Sequence, residues 1–234
     1  MSATTTATDT LLLAKDTNWE FLSPIYQDAI GQTLYMAIWG LALGWLVGLV
    51  LGVLLYTTRG GGVLANRPVF WVINLLVNIV RPIPFIILLT ALGPLTKIVT
   101  GSILGINAAT FAIIIAASFG AARIVEQNLV AIDPGVIEAA RSMGASPLRI
   151  IFTVIIPEAL GPLILCATFM FIAIIDMSAM AGYIGAGGLG DFAIQYGYRA
   201  YDNNVIYVAL VTIIIIVQAA QLFGNWLAKK VMRR

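Results

Sequence analysis

Residues 137–150 read "IEAARSMGASPLRI" and carry Glu138, Arg141 and Arg149, with Gly144 and Pro147 breaking the run. On either side the chain is almost free of charge. The segment therefore raises one question: what does a short, charged, glycine-punctuated helix do between long apolar stretches?

Only 10% of the 234 residues are charged and 60% are hydrophobic, against about 25% charged in a soluble domain. Charge-free gaps run over residues 29–58, 98–122, 159–175 and 203–228. A helix rises about 1.5 Å per residue and needs roughly 20 apolar residues to cross a hydrocarbon core of about 30 Å. The composition predicts an all-α polytopic membrane protein seated in a lipid bilayer. A fifth stretch, about 68–93, is interrupted only by Arg81 and the prolines Pro82 and Pro84. It reads as one span kinked at the prolines, with two re-entrant half-helices as the alternative. The expected spans are 29–56, 68–93, 106–126, 157–181 and 204–228, within a single transmembrane domain over 29–228. Residues 1–28 form an N-terminal segment and 229–234 a basic tail.

Five spans put the termini on opposite sides. With the C-terminus inside, Arg59, Arg67, Arg123, Arg141, Arg149, Lys229, Lys230, Arg233 and Arg234 are cytoplasmic, and Lys15, Lys97 and Arg199 lie outside. Excess lysine and arginine marks cytoplasmic loops, so the N-terminus is expected outside and the loop at about 127–156 in the cytoplasm. The net charge of +2 is this loop bias and points to no nucleic acid. The polar N-terminus lacks the basic region and apolar length of a signal peptide.

Much chemistry is excluded. The chain has no histidine and one cysteine, Cys166, so it offers no His-based triad, disulfide framework or cysteine cluster for a metal. No Gly-Lys pair occurs, and with it no phosphate-binding loop for ATP. Asp176 reads as the only acid deep in a span. No catalytic residue, metal site or cofactor is expected, and the chain does not read as an enzyme.

Within the charged segment, Asp133-Pro134 is a helix start, because Asp accepts from free N–H groups and Pro tolerates the first position. Val136, Ile137, Ala140 and Met143 then fall on one face, with Glu138, Arg141 and Ser142 opposite. Gly144 closes the helix in a left-handed cap, and Ser146-Pro147 restarts one that runs into the fourth span. Two readings stand: an amphipathic helix resting on lipid headgroups, or a small peg shaped for a protein partner, with Ala139 and Ala140 allowing close approach.

The run "EAARSMGASPLRIIFTVIIPEA" resembles the EAA motif of ABC-importer permeases, in Glu138-Ala139-Ala140, Gly144 and the later Ile156-Pro157. "RPIPFIILL", "GAARIVEQNL", "SAMAGYIGAGGLG" and "QYGYRAY" are similar to the methionine-importer branch of that family. The likeness covers about residues 78–201. It departs at Pro82, where the family pattern has serine. The resemblance implies a bacterial inner-membrane, multi-pass permease of an ATP-driven importer. Asp133, Glu138, Ala139, Ala140, Arg141 and Gly144 would form its coupling helix. It implies three kinds of partner: two copies of a separate ATP-binding cassette ATPase, a second copy of this chain, and an external substrate-binding protein. Methionine is the implied substrate. The alternatives are another small solute, such as a quaternary ammonium compound, or an ion-coupled secondary transporter, which favours inverted repeats and midplane acids.

Other features admit two readings each. Gly40, Gly44, Gly48 and Gly52 recur every four residues and predict a close helix–helix seam, within the chain or between two copies. Five glycines in 182–190 suit a flexible or tightly turned external loop better than a nucleotide site. Tyr196, Tyr198 and Tyr201 suit an interfacial belt or a docking surface. Arg81 and Asp176 are costly in a membrane: Asp176 either pairs with Arg81, lines a path within a dimer, or sits hydrated near the outer interface. Met177, Ser178 and Met180 beside them are candidates for the same path, or core filler.

Overall fold

A computed structural model describes residues 17–232; Lys15, Arg233, Arg234 and most of the expected N-terminal segment fall outside them. The described residues form ten α-helices: α1 Trp19–Thr58, α2 Arg67–Val80, α3 Phe85–Ala91, α4 Gly93–Thr100, α5 Ile106–Val130, α6 Pro134–Ser142, α7 Pro147–Ile150, α8 Ile156–Tyr183, α9 Gly188–Phe192 and α10 Asn203–Met232. A π turn, Ile151–Ile155, joins α7 to α8 in one 37-residue apolar rod from Pro147 to Tyr183. The turn lies where Pro157 withholds an N–H from the preceding turn.

Four helical stretches are long and apolar enough to cross a membrane: α1, α5, α7–α8 and α10. The first starts ten residues earlier than the charge-free gap suggests. Asp28 ends that gap and Glu20 lies beyond it, yet Leu22, Ile25, Tyr26 and Ala29 pack on Leu189, Phe192, Val205 and Ala209. That apolar contact carries the helix beyond the expected span, to about 60 Å at 1.5 Å per residue.

The fifth stretch differs from a simple kinked span. Helices α2 and α3 meet at 108°. Proline kinks within a continuous helix are far gentler. Here Pro82 and Pro84 both lack an N–H and cannot continue the helical ladder; Arg81 keeps helical dihedrals, and the backbone is extended at Pro84, with ψ 134°. The chain passes the break through a single Ile83 N–H bond to the Val80 carbonyl.

Helix direction follows from contacts. Gly40, Gly44, Gly48 and Gly52 face Ile113, Ala117, Ala121 and Val125 in turn. Both series ascend, so α1 and α5 are parallel. The glycine seam lies within the chain, and the broken segment between must return the chain to its starting side. Ile174 lies near Gly40 and Ile113, Met170 near Gly120, and Cys166 Sγ accepts from Asn128, which makes α8 antiparallel to α5. Thr168 against Gly224 and Gly161 against Met232 turn α10 back again. Arg59, Arg67, Arg141, Arg149, Lys229 and Lys230 consequently gather at one end of the bundle, with α6.

Candidate functional site: the basic end and the polar faces of the spans

Helix α6 is capped as its sequence dictates. Asp133 Oδ1 accepts from the Gly135 N–H at 2.8 Å, a cap worth about 0.5–2 kcal/mol. At the other end Gly144 has φ +78°. Its N–H bonds to the Arg141 carbonyl, and the Ala145 N–H bonds to the Ala140 carbonyl. This doubly bonded C-terminal motif satisfies two orphan carbonyls and fixes the exit angle.

Two α6 side chains anchor it. Ile137 and Ala140 are buried against Tyr56 of α1, Val125 and Leu129 of α5, and Ile150, Ile151 and Ile155 of the α7–α8 rod. Val136 and Met143, expected on the same face, are instead 41% and 81% exposed. Separated by seven residues, they share a stripe of their own, turned from the anchor. Glu138, Ala139, Arg141 and Gly144 are also exposed. Leu148 and Phe152, unmarked by sequence reasoning, add two more exposed apolar side chains. They could have been read from apolar residues standing in an otherwise polar loop. Beside α6, Tyr56, Arg59, Gly61, Val63, Ile137, Glu138 and Arg141 line a cleft of about 110 Å³, and the Arg59 guanidinium lies 4.3 Å from the Tyr56 ring centre. The result is a rigid peg, rooted in three long helices and carrying an exposed mixed surface. Exposed apolar groups in such a setting mark protein contact.

The residues around Asp176 separate. Asp176 and Arg81 are both exposed, and no ion pair joins them; the expected pairing is absent within the chain. Ser178 is buried and its hydroxyl donates to the Ile175 carbonyl of its own helix. Met177 packs at the edge of the main core. Met180, also touching that core, lines an apolar cavity of about 470 Å³ with Ile86, Tyr183 and Ile213.

The single ion pair among the described residues joins Arg123 and Glu126 at 2.5 Å, one turn apart on α5. Arg123 also donates to Asn74 at 2.8 Å and to Asn78 at 2.6 Å, both on α2. Glu126 is buried. Asp176 is therefore not the only acid in a membrane helix, and Arg123 is no loop residue. The i, i+3 pair was visible in "GAARIVEQNL"; its partners, 45 and 49 residues earlier, were not.

At the opposite end, the glycine loop is tightly turned. Gly185, Gly187 and Gly188 have positive φ, the Gln32 side chain accepts from the Gly188 N–H at 2.7 Å, and Thr33 accepts from the Leu189 N–H at 2.8 Å. Tyr196 is half-buried and packs at a tilt against Phe192, ring centres 5.6 Å apart, whereas Tyr198 and Tyr201 are 69% and 90% exposed.

Residues 44–234 match the family described as binding-protein-dependent transport system inner membrane component. The probable D-methionine transport system permease protein MetI of Vibrio cholerae is 41% identical over 212 residues, which cover 91% of this chain and 94% of that one. The methionine import system permease protein MetP of Bacillus subtilis is 44% identical over 207 residues, 88% of this chain and 93% of its own. A chain of the inward-facing MetNI methionine ABC transporter superposes with a TM-score of 0.88 at 39% identity, over 91% of this chain and 98% of that one.

Proposed function

Because the chain belongs to the family of binding-protein-dependent transport system inner membrane components, we propose that it is the permease subunit of an ATP-driven methionine importer. It is a multi-pass inner-membrane protein and a transport subunit, with ATP hydrolysis on a separate chain. Two copies pair to enclose the path, two ATPases bind the basic end, and an external binding protein delivers methionine to the other.

The observation that carries this reading is α6, a peg capped at both ends and exposed along Val136, Glu138, Ala139, Arg141 and Met143. Its setting supports the coupling role of Asp133, Glu138, Ala139, Ala140, Arg141 and Gly144. When ATP draws two ATPases together, each pushes the α6 seated on it. The buried Ile137 and Ala140 pass that displacement to α1, α5 and α8 at once. The α1–α5 seam has no room for sliding, so the helices move as one body. Such a rigid-body switch has two states whose balance the nucleotide sets. The gathering of cations around α6 supports placing this end in the cytoplasm and the N-terminus outside. The exposure of Arg81, at the end of α2, and of Asp176, on α8, supports a role for both on the path between the paired copies.

The test is labelled-methionine uptake into proteoliposomes holding this chain with its ATPase and binding protein, with ATP inside or outside and glycine betaine as competitor. Uptake that needs ATP, and is lost when the 138–144 segment is scrambled, supports the reading. Uptake driven by a proton gradient without the ATPase, or blocked by glycine betaine and not by unlabelled methionine, overturns it.

A further inference from the structure

We propose that Asn74 and Asn78 of α2 and Arg81, which caps its C-terminus, set by Arg123 of α5, form a polar track that takes the carboxylate of the amino acid in transit. The proposal rests on the importer reading above. Positions 74, 78 and 81 are four and three residues apart and share one stripe of α2. Asn74 is half-buried, while Asn78 and Arg81 are exposed. The flanks of the same helix are apolar and open: Trp71, Val72, Leu75, Leu76 and Ile79 are each 48–66% exposed. Those residues suit lipid; the stripe between them does not. Polar groups left facing hydrocarbon are expensive, and in membrane helices they turn to a partner or to a water-filled passage.

The chemistry of the stripe follows from Arg123. A guanidinium has only donors, so the Asn74 and Asn78 side chains must turn their carbonyl oxygens toward it; the 2.8 and 2.6 Å contacts fit that arrangement. Their NH₂ groups then point away, and neither donates to another group among the described residues, nor does the Arg81 guanidinium. Glu126 takes up the charge of Arg123 and acts as a positioning residue. What remains on the open surface is a row of unused donors with one net positive charge from Arg81. A row of donors with a cation is complementary to a carboxylate, which every amino acid carries. The cationic end, Arg81, sits at the break between α2 and α3, about 20 Å along the helix from Arg67, deep in the span. Substrate leaving the outer half would meet Arg81 first, then Asn78 and Asn74.

Two variants test this in the proteoliposome assay. Arg81→Gln removes the cation of a side chain that makes no hydrogen bond among the described residues. Asn78→Asp keeps an acceptor for Arg123 and turns the donor into a repelling charge. Each is expected to lower ATP-dependent methionine uptake about ten-fold or more, the loss of one charge-assisted hydrogen bond. The permease should still purify with its ATPase as an intact dimer, with no fall in melting temperature. Wild-type rates in both variants overturn the track, as does dissociation of the Asn78→Asp dimer, which would make the stripe a contact between copies. Failure of the wild-type vesicles to take up methionine with ATP would instead overturn the importer reading itself.

Discussion

Gly48 of α1 lies so close to Ala121 of α5 that a methyl group at position 48 would overlap the alanine's own Cβ and stand 2.9 Å from the Ser118 carbonyl oxygen. The neighbours are backbone and a methyl group, neither of which can swing aside. Two parallel helices thus touch along four glycines spaced four residues apart, and dispersion forces act at the shortest range where no hydrophobic effect drives association.

Gly48→Ala should therefore destabilise the permease by about 1–3 kcal/mol, the usual cost of overpacking a tight core, and Gly48→Leu should prevent folding. Thermal melts in detergent, followed by size exclusion, measure both. Gly31→Ala, at a glycine of the same helix with open space around it, should leave the melt unchanged. Equal effects at 31 and 48 would show that helix propensity and not the seam decides.

Gly144→Val should uncouple transport from ATP. At φ +78° a side chain costs about 1–2 kcal/mol, more when β-branched, and the strain falls on the bonds that fix the end of α6. Gly144→Asn, which tolerates that conformation, should retain most activity. The ratio of methionine moved to ATP hydrolysed reads the difference. Equal ratios in the two variants would detach the cap from coupling.

The chain shows unevenly in its sequence. Four spans follow from charge-free length alone, because bilayer thickness is a fixed ruler. The caps of α6 follow from Asp133, Pro134 and Gly144, whose effects are local. The start of α1 does not, since Glu20 and Asp28 look like a boundary until Phe192 and Val205 supply an apolar partner from the far end of the chain. The 108° break exceeds what prolines dictate by themselves, and its angle depends on α3 lying against α5 and α8. The Asn74–Asn78–Arg123 contact was hidden for the same reason. The seam's partner was half legible: Ile113, Ala117, Ala121 and Val125 repeat the glycine spacing.

Thr33→Val should loosen the outer glycine loop. The Thr33 hydroxyl is 2% exposed with its residue and is the acceptor for the buried Leu189 N–H. Valine keeps the shape and leaves that donor unsatisfied, at a cost of about 1–3 kcal/mol. Hydrogen exchange should quicken at Leu189 and not across α6. Exchange unchanged at Leu189 would mean another acceptor takes over.

Arg123 and Glu126 allow stability and transport to be separated. Their side chains are 16% and 12% exposed, so each is nearly out of water, and removing one strands the other. Arg123→Leu should cost about 3–5 kcal/mol, the penalty for an uncompensated buried charge, whereas replacing both partners with apolar residues is often close to neutral. The double variant Arg123→Leu with Glu126→Leu should therefore melt near the wild type and well above Arg123→Leu alone. Methionine uptake should stay low in both, because Asn74 and Asn78 lose the donor that orients them. Recovery of uptake together with stability in the double variant would reduce Arg123 to a brace. Recovery of stability alone would make it the residue that sets the donors of α2.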